Sequence, residues 1–289
     1  MNYVCVMKLT EAYQNLVRNI SVIYPHPEAE NIADLVIEKI TGIIPQNVKN
    51  TDKNLSDDEN SAIETAEKRL LNNEPVQYIL NEAWFYDAPF YVDGNVLIPR
   101  PETEELVDWV IKENKSKPSF SILEIGTGSG CIPITLKRKL PQAKVLSCDI
   151  SQGALEVAKR NAAQLQAEVK LEQLDILNPK NWMQLPMVDI IVSNPPYVTN
   201  DEKTTIAKNV IDNEPGVALF VPDDNPLVFY EAIAVLGKTH LKPDGCIYVE
   251  INEGLGNQVV SLFNKNQYKA ALKKDMQGKD RMVKAFPII

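Results

Sequence analysis

Four consecutive residues, Asn194-Pro195-Pro196-Tyr197, have the types needed to hold a planar amino group. The Asn194 side chain offers a carbonyl acceptor, and Pro195 has no N–H, so its own carbonyl stays available to a ligand. Two neighbouring acceptors suit an NH2 group with two hydrogens, and Tyr197 offers a flat face for an amide or a base. The other interpretation is a rigid proline turn beside a buried tyrosine.

This arrangement suits methyl transfer to nitrogen. An amide nitrogen is a poor nucleophile, and acceptors for both of its N–H groups raise its electron density and aim its lone pair. S-adenosylmethionine carries a methyl on a positive sulfonium, and in-line transfer of that methyl depends mainly on alignment. No prior base is needed, which agrees with His26 and His240 lying outside the candidate motifs. The candidate catalytic residues are Asn194, Pro195 and Tyr197, and the candidate substrate-binding residues are Asn194, Pro195, Pro196 and Tyr197.

A glycine-rich segment, Glu124–Gly130 (EIGTGSG), follows a predicted strand and precedes a predicted helix. Glycines at that place let the backbone turn sharply and approach a ligand closely. Asp149, at the end of the next strand, could accept both hydroxyls of a ribose. A tight turn without a ligand is the alternative. We expect an adenosine-type cofactor, bound by Gly126, Thr127, Gly128, Ser129, Gly130 and Asp149.

The following strand ends near Asp175 and Ile176. Asp175 could bond to the amino group of an adenine, with Ile176 against the ring face. Loop polarity and core packing explain the same two residues equally well, because the spacing that places them is loose. Both are candidates for cofactor binding, as is Asn194.

From residue 120 onward, predicted strands and helices alternate, which is typical of a mostly parallel sheet with helices on both faces. The last two strands are joined only by about Met276–Arg281, too short for a parallel crossover, so they should form an antiparallel edge hairpin. Ligands bind beyond the carboxyl ends of parallel strands, so the candidate residues should share one edge. The predicted strands are 121–125, 144–148, 169–174, 188–193, 246–251, 268–275 and 282–288, and the predicted helices are 102–115, 132–140, 153–165, 226–241 and 255–264.

The chain before this alternation has a different organisation. Residues 1–76 carry apolar side chains at three- and four-residue steps, which predicts a small helical domain. Ser56 and Glu59 have the spacing of a capping box that begins its third helix. Short aromatic runs within residues 77–98 predict a β-hairpin linker, and the last domain should span residues 99–289.

The composition is that of a globular chain, with 44% hydrophobic and 24% charged residues among 289. The net charge of -9 would repel a nucleic-acid backbone unless the chain carried a local basic patch. No apolar run reaches the roughly 18 residues of a membrane span, and the N-terminus lacks a secretory signal pattern. The 4 cysteines are scattered and indicate neither a metal site nor a disulfide framework. We expect a cytoplasmic monomer that binds no metal.

With these motifs, the chain resembles the release factor glutamine N5-methyltransferases, the PrmC/HemK family, over nearly its whole length. The glycine loop is common to many methyltransferases, and Asn-Pro-Pro-Tyr is shared with enzymes that act on planar amino groups. The stretch Leu97–Glu104 (LIPRPETE) is the specific mark of this family. Two further marks are Glu214-Pro215 and the pattern Asp275-x-x-Gly278-x-x-Arg281.

The resemblance implies a Rossmann-like, S-adenosylmethionine-dependent methyltransferase domain, preceded by a helical substrate-docking domain and the hairpin linker. It implies methylation of the glutamine amide nitrogen in the Gly-Gly-Gln motif of peptide-chain release factors, which modulates translation termination and leaves S-adenosylhomocysteine. Carried over by position, the residues that would contact the cofactor are Gly126–Gly130, Asp149, Ile176 and Asn194. Those that would hold the glutamine amide are Asn194–Tyr197.

The chain departs from the family pattern at several places. The family often has an aromatic residue where Ile176 stands, and Asp-Gly where this chain has Asp223–Pro226. The run beginning at Met7 resembles a usual start, so residues 1–6 could be an extension or reflect an upstream start codon.

Two features of the chain have open roles. Arg100 could brace the active-site loop, contact the partner, or form a surface ion pair with Glu102 or Glu104. The polar residues 198–225 are long enough for a lid that closes over the substrate and orders on binding.

Two other classes of function share part of this pattern. An adenine N6-methyltransferase of nucleic acids would use the same Asn-Pro-Pro-Tyr chemistry, but it would need base flipping and a basic channel. A non-enzymatic adaptor could keep the cofactor fold, but an intact Asn194 and an intact glycine loop argue against it. The acidic charge favours a protein substrate, the release factor, with no direct nucleic-acid or membrane partner.

Overall fold

The computed structural model describes residues 7–48 and 50–288, which divide into two compact units. The first unit holds the described residues up to Asn81 together with Ala207–Asn213, and the second holds Glu82–Ile206 and residues 214–288. This division differs from the predicted boundaries after residues 76 and 98. The proposed extension at residues 1–6 lies outside the described residues.

The first unit is built from helices whose apolar faces share one buried cluster. The predicted capping box is present, because Ser56 Oγ accepts the N–H of Glu59 at 3.2 Å and the Glu59 carboxylate accepts the N–H of Ser56 at 2.9 Å. Residues 77–80, predicted as part of the linker, belong instead to a helix, Val76–Leu80, in which Val76 and Tyr78 are buried. The helices up to Asn81 are α1 (Leu9–Ile20), α2 (His26–Thr41), α3 (Pro45–Val48), α4 (Asp57–Leu71) and α5 (Val76–Leu80).

The second unit begins with the predicted hairpin, formed by β1 (Ala83–Phe85) and β2 (Ala88–Phe90). Phe85 and Phe90 are almost fully buried, and their rings meet edge to face with centroids 6.1 Å apart. Both rings belong to the same buried cluster as the apolar side of α6 (Pro101–Asn114). The hairpin is therefore part of the core of the second unit, whereas the sequence predicted a linker between domains.

The rest of the chain alternates strands and helices, as predicted. The strands are β3 (Phe120–Ile125), β4 (Ala143–Asp149), β5 (Val169–Gln173), β6 (Val188–Ser193), β7 (Val198–Thr199), β8 (Phe220–Val221), β9 (Leu241–Glu250), β10 (Tyr268–Lys274) and β11 (Asp280–Pro287). The helices are α7 (Cys131–Lys139), α8 (Gln152–Gln164), α9 (Lys208–Asn213), α10 (Gly216–Leu219), α11 (Val228–His240) and α12 (Gly256–Lys265). Two short 3-10 helices cover Pro179–Gln184 and Asp201–Thr205.

One sheet of seven strands, in the order β10-β11-β9-β6-β3-β4-β5, organises the second unit. The pairs from β9 to β5 are parallel, and β11 runs antiparallel to both β9 and β10. The predicted α/β class with an antiparallel C-terminal hairpin is confirmed.

Helices cover both faces of this sheet. In β6, Ile190 and Val192 belong to the buried cluster shared with α6 and α7, whereas Ile191 belongs to the cluster shared with α11 and α12. Successive strand residues point to opposite faces, so a strand covered on both sides is apolar at nearly every position. This explains why the central strands appear in the sequence as continuous apolar runs rather than alternating ones.

Residues 198–225, predicted as one polar segment, are built from short elements instead. Strands β7 and β8 pair in parallel, and α9 and α10 lie between them in the chain. The apolar side chains of Leu219 and Val221 are buried, which anchors this part of the segment. Within the first unit, Asn213 Nδ2 donates to the carbonyl of Asn73 at 3.0 Å, so α9 is joined to that unit.

The described ranges contain no helix that is both long enough and apolar enough to cross a membrane. In the same ranges, no three or more His, Cys, Asp or Glu side chains are grouped so that they could hold a metal ion.

We expect Ser56→Ala to destabilise the first unit by about 1 kcal/mol, because the N–H of Glu59 loses its side-chain acceptor. Ser61, an exposed residue inside α4, is the matched control, since Ser61→Ala should be neutral or slightly stabilising within a helix. Hydrogen–deuterium exchange of the α4 amides, read by mass spectrometry, measures the difference. Equal protection in the two variants would contradict the capping role.

Candidate active site

A cavity of about 320 Å³ lies at the carboxyl ends of β3, β4 and β6 in the second unit. Ligands of parallel α/β sheets bind at this edge. The volume falls within the range of small-molecule sites, roughly 300–1,000 Å³. The predicted site residues that line it are Gly126, Thr127, Gly128, Ser129, Asp149, Asp175, Ile176, Asn194, Pro195 and Pro196.

Gly130 and Tyr197, both described, are the predicted site residues that do not line this cavity. Gly130 precedes α7 at a φ of +82°, and a Cβ there would lie 2.7 Å from the Ile134 side chain and 3.2 Å from Ala158. Helix packing therefore requires this glycine. The Tyr197 ring packs against the core, and its hydroxyl donates to Glu250 Oε1 at 3.3 Å.

The glycine loop has a backbone conformation that favours glycine. Gly126 and Gly128 have φ values of +88° and +51°, in the left-handed region that side chains disfavour. The loop is held from both sides. The N–H of Gly126 donates to the Cys148 carbonyl at 2.9 Å, and the buried Asn161 side chain donates to the Ser129 carbonyl at 2.8 Å.

Asp149 ties the glycine loop to the start of α8. Its Oδ2 accepts the N–H of Gly128 at 2.9 Å, and its Oδ1 accepts the N–H of Ser151 at 2.8 Å. Burial raises the pKa of the Asp149 carboxyl, and these backbone hydrogen bonds oppose the rise. Each oxygen keeps a second lone pair, so the carboxylate can still accept two hydroxyl groups at the cavity. This acceptor set fits the predicted ribose.

Asp175 and Ile176 serve the fold and also reach the cavity. Asp175 Oδ1 accepts the N–H of Leu177 at 2.9 Å, which is a local turn contact. Ile176 is 6% exposed and belongs to the core, and Trp182 donates to its carbonyl at 3.0 Å. Both residues also line the cavity. The contacts within the fold support the structural interpretation, and the position at the cavity supports the cofactor-binding one.

Asn194 follows β6 directly and presents acceptors to the cavity. Its Nδ2 donates to Thr103 Oγ1 at 3.0 Å. Within residues 7–48 and 50–288, no group donates a hydrogen bond to Asn194 Oδ1 or to the Pro195 carbonyl. Two neighbouring acceptors are thus available where the sequence predicted them.

A buried carboxyl that the sequence analysis did not identify lies behind Asn194. Glu250, the last residue of β9, is 1% exposed, and its Oε2 accepts the Thr103 hydroxyl at 2.7 Å. Burial raises the pKa of Glu250 to about 7, although Thr103, Arg281 and Tyr197 each lower it. An acid at the carboxyl end of a predicted strand was the signal that could have identified Glu250.

A second buried carboxyl, Glu124, lies in β3 just before the glycine loop. Its Oε2 accepts the Ser147 hydroxyl at 2.5 Å, and its Oε1 has no partner among the described residues. Burial raises the pKa of Glu124 to about 8, so this carboxyl is mostly neutral at pH 7. Glu124 does not line the cavity, and it supports the loop from behind.

Arg100 forms an ion pair with Glu214, and so connects the two segments Leu97–Glu104 and Glu214-Pro215 that carry the family resemblance. Its Nη2 donates to Glu214 Oε1 at 2.5 Å, and the N–H of Ile98 donates to Glu214 Oε2 at 3.1 Å. The Glu214 side chain is 1% exposed and that of Arg100 is 34% exposed. The observed partner thus differs from the suggested Glu102 and Glu104. No spacing rule links residues this far apart in the chain.

The Asp275–Arg281 motif forms the turn between β10 and β11. Asp275 Oδ2 accepts Arg281 Nε at 3.1 Å, and the N–H of Gly278 donates to the Asp275 carbonyl at 2.9 Å. Gly278 has a φ of +82°, which the tight turn requires. The motif therefore holds the hairpin and places Arg281 close enough to Glu250 to lower the pKa of that carboxyl.

We expect Arg100→Ala to destabilise the second unit by about 3 kcal/mol, because it leaves the buried Glu214 carboxylate without its cation. Glu214→Ala should cost less, about 2 kcal/mol, because Arg100 can still reach water and the main loss is the acceptor of the buried Ile98 N–H. All 3 tryptophans lie in the second unit, so their fluorescence during urea unfolding reports on it. Asp52→Ala, which removes a fully exposed partner of Lys8, is the control and should change little. A larger loss in Glu214→Ala than in Arg100→Ala would contradict the assignment.

We expect Gly130→Ala to destabilise the second unit by roughly 1–3 kcal/mol more than Gly278→Ala, because only its Cβ would overpack the core. The two glycines have the same φ of +82°, and a Cβ at Gly278 would meet nothing within 4 Å. Both variants therefore carry a similar backbone cost from φ, and the difference between them reports mainly the contact of the added Cβ at Gly130. Urea midpoints from tryptophan fluorescence measure it, and equal midpoints would be incompatible with the close contact to Ile134.

The chain is similar to a known family and to named bacterial proteins. The methyltransferase small domain family matches residues 105–217. A protein of Flavobacterium psychrophilum named release factor glutamine methyltransferase is 48% identical over 225 residues, covering 76% of this chain and 78% of the relative. A protein of Bacteroides thetaiotaomicron with the same name is 44% identical over 265 residues, covering 91% of this chain and 94% of the relative.

Solved structures share the fold. A methyltransferase from Pyrococcus furiosus superposes with a TM-score of 0.52 at 17% identity, covering 78% of this chain and 99% of that one. The hMettl16 catalytic domain, solved with a MAT2A 3'UTR hairpin, has a TM-score of 0.55 at 13% identity, covering 81% of this chain and 83% of that one. At such low identities these likenesses bear on the fold alone.

Proposed function

The chain belongs to the release factor glutamine methyltransferase family, and on that premise we propose which methyl group it transfers and to which nitrogen. The donor is S-adenosylmethionine, and the acceptor is the side-chain amide nitrogen of the glutamine in the Gly-Gly-Gln motif of peptide-chain release factors. The products are the N5-methylated glutamine and S-adenosylhomocysteine.

The cavity supports the cofactor part of the proposal. S-adenosylmethionine, when bound, supplies an electrophilic methyl group on its sulfonium. Asp149 would hold the ribose hydroxyls with the lone pairs that its backbone hydrogen bonds leave over. Ile176 would pack against the adenine, Asp175 would bond to its amino group, and the loop Gly126–Ser129 would line the rest of the cofactor.

The single observation that carries the substrate part is the pair of acceptors at Asn194 and Pro195. Asn194 Nδ2 is engaged by Thr103, which leaves Oδ1 beside the Pro195 carbonyl at the cavity. Both N–H groups of a glutamine amide would be held, and the nitrogen lone pair would point away from the protein acceptors. Positive charge develops on that nitrogen during transfer, and the two acceptors stabilise it more than they stabilise the ground state.

The proposal requires no base before transfer, because the methylated nitrogen loses a proton afterwards. The two histidines of the chain are placed accordingly. His26 begins α2 in the first unit, and His240 ends α11 with its Nε2 3.0 Å from the Trp182 carbonyl. Neither lines the cavity.

For the first unit, we propose the role predicted from the sequence, which is docking of the release factor. A surface groove of about 560 Å³ between α1 and α2 supports this proposal, because it offers the apolar side chains of Tyr13 and Val17 next to the charged Arg18 to a protein partner.

We expect Asn194→Ala to lower methyl transfer to the release factor by roughly 10²–10³-fold, because the variant loses one of two acceptors on the developing charge. The measurement combines labelled S-adenosylmethionine with tandem mass spectrometry of the release factor. Asn257→Ala, on an exposed position of α12, makes the same chemical change away from the cavity and should keep full activity.

The position of the added methyl group tests the substrate assignment. A methyl on the glutamine of Gly-Gly-Gln, lost in Asn194→Ala and kept in Asn257→Ala, is the expected result. A wild-type chain that binds S-adenosylmethionine but methylates another residue, another protein or DNA would overturn the substrate assignment and leave the cofactor site standing.

A further inference from the structure

A chain of hydrogen bonds runs from Asn194 into the protein interior. Asn194 Nδ2 donates to Thr103 Oγ1 at 3.0 Å, and Thr103 Oγ1 donates to Glu250 Oε2 at 2.7 Å. Thr103 is 2% exposed and Glu250 is 1% exposed, so both are shielded from bulk solvent. We propose that Thr103 and Glu250 are positioning residues that fix the Asn194 amide with its oxygen toward the substrate nitrogen. The inference rests on the proposed function.

The orientation of the Asn194 amide is set by which neighbouring groups can donate a hydrogen bond. An asparagine amide has an accepting end and a donating end of nearly the same shape. Rotated by half a turn, Asn194 would present N–H groups to a substrate nitrogen that itself carries two hydrogens. Such an arrangement would repel the substrate, so the reaction requires one of the two orientations.

Glu250 selects that orientation through Thr103. An ionised carboxylate can only accept, so the one hydrogen of the Thr103 hydroxyl is committed to Glu250. The Thr103 oxygen is then left as an acceptor toward Asn194. Only Nδ2 can face an acceptor, and Oδ1 must therefore face the cavity.

The protonation state of Glu250 should control this selection. The charged and titratable groups around it are Glu102 on α6, Cys131 at the start of α7, Tyr197 after β6, and Arg281 on β11. On α11, the Tyr230 hydroxyl donates to the Glu250 backbone carbonyl at 3.1 Å. Burial raises the pKa of Glu250 to about 7. A protonated Glu250 could donate to Thr103, which would free the hydroxyl hydrogen to meet Asn194 Oδ1.

The first experiment compares Thr103→Val with Thr103→Ser in the full-length protein. Valine keeps the shape of threonine and lacks the hydroxyl, whereas serine keeps the hydroxyl. We expect Thr103→Val to lower kcat for release factor methylation about tenfold to a hundredfold, as small misplacements of a reacting group do. Thr103→Ser should stay near the wild type, and calorimetry should give all three proteins the same affinity for S-adenosylmethionine.

Thr135→Val is the matched control for loss of a buried hydroxyl. Thr135 lies on α7, is 1% exposed, and its Oγ1 has no partner within the described residues. It does not line the cavity. Full activity in Thr135→Val and a loss in Thr103→Val assign the effect to the hydrogen-bond chain, whereas equal losses would overturn the proposal.

A double-mutant cycle separates positioning from general support. If Thr103 acts through Asn194, then Thr103→Val should add no further loss in an Asn194→Ala background. The same fold loss in both backgrounds would show that Thr103 acts by another route, and the proposal would be wrong.

The pH profile tests Glu250 itself. The wild-type kcat should rise with pH through about 7, where Glu250 becomes a pure acceptor. Glu250→Gln should lose this acidic limb, because an amide does not titrate. Glu124→Gln is the control, since the pKa of Glu124 is also raised, to about 8, and its loss should leave the limb in place. A limb that survives Glu250→Gln would overturn the role of Glu250.

A spectroscopic measurement keeps this inference separate from the proposed function. If the wild-type chain does not methylate a release factor, the proposed function fails, and the Asn194 side-chain NH2 signal in a ¹⁵N–¹H spectrum still reports the hydrogen bond. That signal is assigned by its loss in Asn194→Ala. We expect it to shift with pH around 7 in the wild type and to lose that response in Thr103→Val. An unchanged signal in Thr103→Val would overturn the inference independently of activity.

Discussion

Parallel pairing of β4, β3, β6 and β9 brings four strand ends to one edge, and the cavity depends on that arrangement. Asp149 and Glu250 end two of these strands, and the glycine loop and Asn194 follow the other two. Parallel neighbours require long crossovers, which here are helices that cover both faces of the sheet. The sheet edge is then the place where loops can present polar groups to a ligand without exposing the core.

The same arrangement buries two carboxyl groups next to the cavity. A buried carboxylate is costly unless it is paired and hydrogen-bonded, and Glu124 and Glu250 each accept a hydroxyl. Their pKa values of about 8 and about 7 lie above the ordinary glutamate value of 4.5. Both groups therefore favour the folded state most in acid, and that contribution is lost as the pH rises through about 7 and about 8. Ionisation of these two carboxyl groups therefore lowers the free energy of unfolding near neutral pH.

The sequence predicted most of the sheet, because apolar runs and glycine loops are local signals. It also predicted the residue types of the cavity, since Asp149 ends one strand and Asn194 directly follows another. It missed Thr103 and Glu250, because the hydrogen bond between them forms only when α6 and β9 lie side by side. Arg100 and Glu214 were noted separately for the same reason. Tyr197 was predicted to face the substrate, and its hydroxyl contact with Glu250 depends on the same packing. Long-range pairs of this kind carry no spacing rule in a single sequence.

Strand β11 lies between β9 and β10, although it follows both of them in the chain. Both strands are therefore synthesised before the strand that joins them. Until about residue 287 has emerged, β9 presents an unpaired edge of backbone N–H and carbonyl groups, which is a known hazard for association with other chains. Glu250 sits at the end of that strand and pairs with Met282 of β11, so the backbone that carries its side chain is held on this side only once β11 is in place. Nascent chains of this protein should consequently depend on protection of one sheet edge until β11 has emerged from the ribosome.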